Sequence, residues 1–81
     1  MDSINLEVVF LDGTKREVEI IAGDIVAFEE KFEKSIDEVG LMTHFYFLAW
    51  HSLKRIGETA KGFEEWVSDI RGVAVSDPKG S

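Results

Sequence analysis

The chain has 81 residues, enough for one domain, and a domain of that size buries only about 60% of the surface it exposes when unfolded. Its 16 acidic against 9 basic residues give a formal net charge of -7, which argues against a phosphate-binding face, because nucleic-acid binders gather Lys and Arg on one side. With no cysteine, disulfide frameworks and thiolate metal sites are excluded and a soluble, cytoplasmic setting is the default; neither a signal-like leader nor an apolar run of the roughly 18 residues of a membrane span is present.

Ile4 to Leu11 and Lys15 to Ile21 are rich in β-branched and large apolar residues and flank Asp12-Gly13, the signature of a hairpin. A two-residue Asp12-Gly13 loop sets Val8 opposite Glu17 and Leu6 opposite Glu19, mixing apolar and charged residues on each face. A three-residue loop with Gly13 left-handed in a bulge pairs Phe10 with Thr14, Val8 with Arg16, Leu6 with Val18 and Ile4 with Ile20. Ile4, Leu6, Val8, Phe10, Val18 and Ile20 then share one face, and register follows the hydrophobic face. The bulged hairpin is preferred.

Asp24 reads as the N-cap of a first helix of about ten residues, with Ile25, Phe28, Phe32 and Ile36 as its apolar stripe. Ser35 to Gly40 is a break with room for a single helical turn. Leu41 to Ile56 is then a helix whose Leu48, Leu41, Ser52, Phe45, Ile56, Ala49, Met42, Leu53, Tyr46 and Trp50 fill an arc of roughly 200°, about twice a normal core-facing stripe. Phe47 falls outside that arc, beside Thr43, Lys54 and His51. Gly57 is the natural stop after Lys54 and Arg55. Phe63, Trp66, Val67 and Ile70 recur at helical spacing and mark a short last helix with Gly62 as its N-cap. The sequence thus predicts an α+β fold, an N-terminal antiparallel β-hairpin followed by about three helices (ββααα), as one domain over residues 1–72, and a flexible tail over 73–81.

No residue pattern points to catalysis, a cofactor or a metal, and the chain reads as a non-enzyme. His44 and His51 share a helix face but lie about 10.5 Å apart along its axis, too far for two ligands on one helix, and both are expected to face solvent or a partner. Ser52 has no Gly-flanked elbow and suits close helix packing. Glu29-Glu30 and Glu64-Glu65 fall on solvent faces or first helical turns, and Gly57, Gly62 and Gly72 are helix punctuation without the strand and Lys-Ser or Lys-Thr of a phosphate loop. Phe28, Phe32, Phe45, Phe63 and Trp66 are assigned to the core. Phe47 and Trp50, with Tyr46 and His51 beside them, are the candidates for partner binding, since aromatic anchors carry much of the energy of such contacts. The over-wide arc and the free edges of the hairpin predict self-association through the aromatic helix, the hairpin edge, or both.

The order of elements, with Leu11-Asp12-Gly13-Thr14 at the hairpin tip, Phe28-Glu29-Glu30-Lys31-Phe32, the run Phe47-Leu48-Ala49-Trp50-His51-Ser52-Leu53-Lys54-Arg55-Ile56-Gly57 and Phe63-Glu64-Glu65-Trp66-Val67, resembles the small tail assembly chaperones of long-tailed bacteriophages. The likeness covers Leu6 to about Ile70, and its most specific part is Leu-Ala-Trp-His-x-Leu-Lys-Arg-x-Gly followed by Phe-x-Glu-Trp. The resemblance implies a chaperone of the host bacterial cytoplasm, absent from the mature virion, that holds the tape measure protein soluble while the tail tube assembles. It also implies a longer form, made by ribosomal frameshifting, whose extension recruits the tail-tube subunit; this chain corresponds to the short form. Asp77-Pro78-Lys79 permits a slippery codon run of the kind such a shift requires. Two alternatives stand beside this reading: a small acidic inhibitor or antirepressor acting on a host protein, and a structural head-tail accessory subunit.

Overall fold

The computed structural model describes residues 4–76. Strand β1 (Ile4–Phe10) turns into β2 (Lys15–Ile20), helix α1 (Ala22–Phe32) follows, and a 3-10 turn over Ile36–Glu38 leads to the long helix α2 (Met42–Arg55). A short helix α3 (Phe63–Val67) and a third strand, β3 (Ile70–Ser76), complete the described chain. The three strands form one antiparallel sheet in the order β2-β1-β3, and α2 lies across it with α1 and α3 beside it. No helix of the described residues is long and apolar enough to cross a membrane.

The hairpin has the bulged register that its hydrophobic face requires. Ile4 pairs with Ile20, Leu6 with Val18 and Val8 with Arg16, while Phe10 N–H donates to Thr14 O at 2.8 Å. Gly13 takes φ +92°, where a side chain would be strained, and its N–H donates to Phe10 O at 3.0 Å. Leu6, Val8, Val18 and Ile20 are buried as a result. Asp12 braces the tip by accepting from the amide and hydroxyl of Thr14 at 2.9 and 2.7 Å, and those two bonds hold its exposed carboxyl below the usual carboxylate range.

Three expectations are corrected. Helix α1 begins at Ala22, so Asp24 sits in its first turn instead of capping it, and its carboxylate reaches back to accept from Ile21 N–H at 3.0 Å. The helix ends at Phe32 because Glu33 turns left-handed, φ 55°, which moves Ile36 out of the helix and into the 3-10 turn. The third correction concerns the C-terminal part: residues 73–76, expected to be loose, are strand. Val-Ala-Val is a good strand former, and it completes the free edge of β1, with Val73 opposite Val8 and Val75 opposite Leu6. A bulge between Val9 and Phe10 brings Ile70 and Val73 onto the same face of the sheet. Ile70 read as the end of α3 because it continues the helical spacing of Phe63, Trp66 and Val67, whereas it opens the strand. Asp77-Pro78-Lys79 lies outside the described residues.

The core gathers on the helical side of the sheet and includes Leu6, Val8, Phe28, Leu48, Leu53, Trp66 and Val73. Leu48, 1% exposed, lies at its centre, whereas Phe45 is only half-buried. Leu48→Ala is therefore expected to cost about 2–5 kcal/mol in urea unfolding, and Phe45→Ala less than Leu48→Ala. Glu33→Gly is expected to raise stability by about 0.5–1 kcal/mol, because the left-handed conformation strains any residue with a Cβ; a loss of stability would show that Glu33 makes a compensating contact.

Candidate functional site

Helix α2 is wrapped around most of its circumference. Towards the sheet, Ala49 and Ser52 are buried, and Ser52 Oγ donates to the backbone carbonyl of Glu19 at 3.2 Å. Towards α1 stand His44, His51 and Arg55. Towards α3 the Trp50 ring lies 5.6 Å from that of Phe63, and its Nε1 donates to Lys61 O at 2.9 Å. Phe47, on the side turned from the sheet, is closed over by Phe32 of α1 at 5.5 Å and Phe63 of α3 at 5.8 Å, both edge-on, as aromatic quadrupoles prefer. A chain of rings therefore crosses the helical layer from Phe28 through Phe32 and Phe47 to Trp50 and Phe63. Its outer members, Phe32, Trp50 and Phe63, are half-buried, and the Lys54 ammonium stands 5.0 Å over the Trp50 ring.

Of the four residues singled out for partner binding, the structure brings three together. Phe47, Trp50 and His51 stand with ring centres 5.7 to 6.3 Å apart. Phe47 nevertheless is only 6% exposed, so it supports the patch from beneath and is not itself an anchor open to a partner. The wheel placed it among polar residues, but α1 and α3 both send a phenylalanine over that side. Tyr46 is half-buried against the core, away from these ring contacts among the described residues. Leu41, Met42 and Ile56, counted in the apolar arc, are half or more exposed because they lie at the helix ends, beyond the covering elements.

The histidines are engaged within the domain, contrary to the expectation that they face solvent or a partner. His44 is 3% exposed, and its Nδ1 accepts from the amides of Gly40 and Leu41 at 3.3 and 3.4 Å, closing the N-terminus of α2. His51 Nδ1 lies 2.6 Å from Oδ1 of Asp24, whose side chain is fully buried. Arg55 reaches the same carboxylate with Nε at 3.3 Å and its terminal nitrogen at 3.2 Å, and that terminal nitrogen also donates to Ser52 Oγ and to Glu19 O. Burial by itself raises the Asp24 carboxyl, but the Ile21 amide, the hydrogen bonds from Arg55 and His51, and the Arg55 charge outweigh it, and the net direction is downward. An ionised carboxylate only accepts, so His51 carries its proton on Nδ1 towards Asp24. The Asp-His pairing is that of a hydrolase triad, but Ser52 Oγ points to Glu19 O and Arg55, and the cluster clamps α1, α2 and the end of β2 together. One signal in the sequence pointed to it: His51 and Arg55 are four apart and face the same neighbour.

A second feature escaped sequence reading altogether. Beside the hairpin tip, a shallow groove of about 270 Å³ is lined by Phe10, Leu53 and Trp66, with the Arg16–Glu58 and Lys61–Asp69 ion pairs at its margin. Its lining comes from four separate segments, which no local pattern could have assembled. Asp69, by hydrogen bond and then by charge, raises the exposed Lys61 ammonium above its ordinary value. Groups of three or more metal-ligating side chains are absent among the described residues.

Comparison with known protein families, with curated proteins and with solved structures finds no significant match to this chain.

The clamp makes two predictions. Asp24→Ala is expected to cost about 1–3 kcal/mol, since it leaves the Ile21 amide without its acceptor, while Arg55 keeps access to water. Because the folded carboxyl titrates below its ordinary 3.8, Asp24 stabilises the fold at pH above that value and the contribution disappears as pH falls through the lower folded value. Urea unfolding of Asp24→Asn between pH 7 and pH 2 should accordingly show a shallower acid limb than the parent; parallel limbs would mean that other carboxylates govern acid unfolding.

Proposed function

We propose that this chain is a tail assembly chaperone of a long-tailed bacteriophage, in its short form, which binds the tape measure protein without catalysing a reaction and works in the host cytoplasm. The observation that supports this reading is the half-buried aromatic patch of Phe32, Trp50 and Phe63 over Phe47, which resembles the anchor-rich surfaces that receive an amphipathic helix. A tape measure protein is long and largely helical, so its apolar stripes need such a cover before the tube encloses them. The surplus of acid keeps the complex soluble. In this reading the tail-tube subunit engages the frameshifted extension and not the aromatic patch.

The acidic-inhibitor reading stands second, on one observation: Glu7 pairs with Glu17 in the sheet register, so two carboxylates lie side by side on the face turned from the helices. Three carboxylates with Glu19 make a sparse array beside the one phosphate per about 1.7 Å of a DNA duplex, and the aromatic patch has no use in mimicry.

Co-expression with the tape measure protein of the same phage tests the proposal. The parent chain is expected to keep that protein soluble and to co-purify with it, while Trp50→Ala combined with Phe63→Ala should weaken capture by about tenfold or more, as for a pair of aromatic anchors. Undiminished capture by the double variant would remove the patch from the interaction, and detection of the chain in purified virions by mass spectrometry would favour the accessory-subunit reading.

A further inference from the structure

The two outer strands of the sheet differ in how they meet water. β2 carries Lys15, Arg16, Glu17 and Glu19, four charged side chains among its six residues, which is how natural sheets keep a free edge from pairing. β3 has none from Gly72 to Ser76, in a chain that is 31% charged overall. Its Val75 lies on the same side of the sheet as Leu6 and Val73, yet it is 67% exposed, more than Leu11, Ile21, Val26, Leu41, Met42 or Ile56. A strand uncharged over residues 72–76, with an uncovered valine, is an edge prepared for another strand.

We infer that β3 is the docking edge for a second copy of this chain, joined in antiparallel fashion about a twofold axis at Ala74. In that register Val75 of each copy stands against Val73 of the other on the helix-covered face, and Gly72 stands against Ser76 on the open face. Within residues 72–76 no charged side chain faces another. The register is self-complementary, as a twofold interface requires, and it unites two three-stranded sheets into one continuous sheet in the order β2-β1-β3-β3-β1-β2. Both edges of the joined sheet are then the charged β2, so the assembly closes at two copies. Each copy carries a formal charge of -7, and a like-charged pair can approach closely only where the contact itself is uncharged. This inference is independent of the client reading, since it uses the sheet edge and leaves the aromatic patch open.

A strand-edge contact of this length buries less than a standard interface, so the association is of micromolar strength or weaker. Sedimentation equilibrium over a range of concentration and salt tests it. Dimers are expected, and they should strengthen as salt rises, because screening reduces the repulsion between two acidic copies. Val75→Lys should weaken association by about tenfold or more, whereas Val26→Lys, on the exposed side of α1, should leave it unchanged. Val75 is exposed in the single chain, so its replacement should leave the circular dichroism and the folded monomer intact. Hydrogen exchange gives a reading that needs no variant: amides on the free side of β3 should gain protection as concentration rises. Monomer at every concentration, association that weakens with salt, or dimers that survive Val75→Lys would each overturn the inference, as would protection that grows on β2 or the aromatic patch and not on β3.

Discussion

Keeping α2 out of water around most of its circumference is the constraint from which the rest of the arrangement follows. A helix bearing Phe47 on one side and Ala49 and Ser52 on another cannot be satisfied by a sheet alone. The sheet takes one side, α1 a second and α3 a third, and rings from the two flanking helices close over the fourth. Coverage ends where the neighbours end, which is why the exposed apolar residues of this segment are at its tips. The size of the domain sets that limit, since a small chain has few elements to spend on one helix.

Enclosing α2 also draws polar groups into the interior, and each finds a partner within the described residues. Asp24 has the largest consequence. Its carboxylate collects an amide from the start of α1 and two side chains from the C-terminal half of α2, while Ser52 and Arg55 connect to the end of strand β2 through Glu19 O. Apolar packing tolerates sliding; a carboxylate with four directed contacts does not. Buried ion pairs add little net stability over an apolar replacement, and this one joins the first turn of α1, the helix that carries Phe32, to the C-terminal half of α2.

How much of this was legible follows from the range of each signal. The hairpin register could be derived because turn chemistry and the alternation of apolar residues gave one consistent solution, and Gly57 marked the end of α2 through its left-handed backbone, φ 81°. The strand β3 was hidden because Ile70 continues the helical spacing of Phe63, Trp66 and Val67, and because the strand it pairs with, β1, lies far away in the sequence. Asp24 looked like a cap because local rules favour that role, whereas its actual partners lie far along the chain. Phe47 shows the same limit from the other side: a helical wheel describes one helix, and the rings that bury this residue belong to two others. Of the aromatic patch, Trp50 and the underlying Phe47 were singled out in the sequence, whereas Phe32 and Phe63, assigned there to the core, are half-buried and join the patch only through tertiary contact.

The strand order has a consequence for how the chain is made. β1, synthesised before every other described element, lies in the middle of the sheet, and one of its neighbours, β3, is the last described element to leave the ribosome. The hairpin and all three helices can therefore exist as a nascent chain while β1 still has an open side and the apolar layer is unsealed. Of the two pairings that β1 makes, the one with β3 closes the longer loop and carries the larger entropic cost, and until it forms that side of β1 is open to wrong strand partners. Synthesis of the last described strand thus completes the sheet around the first.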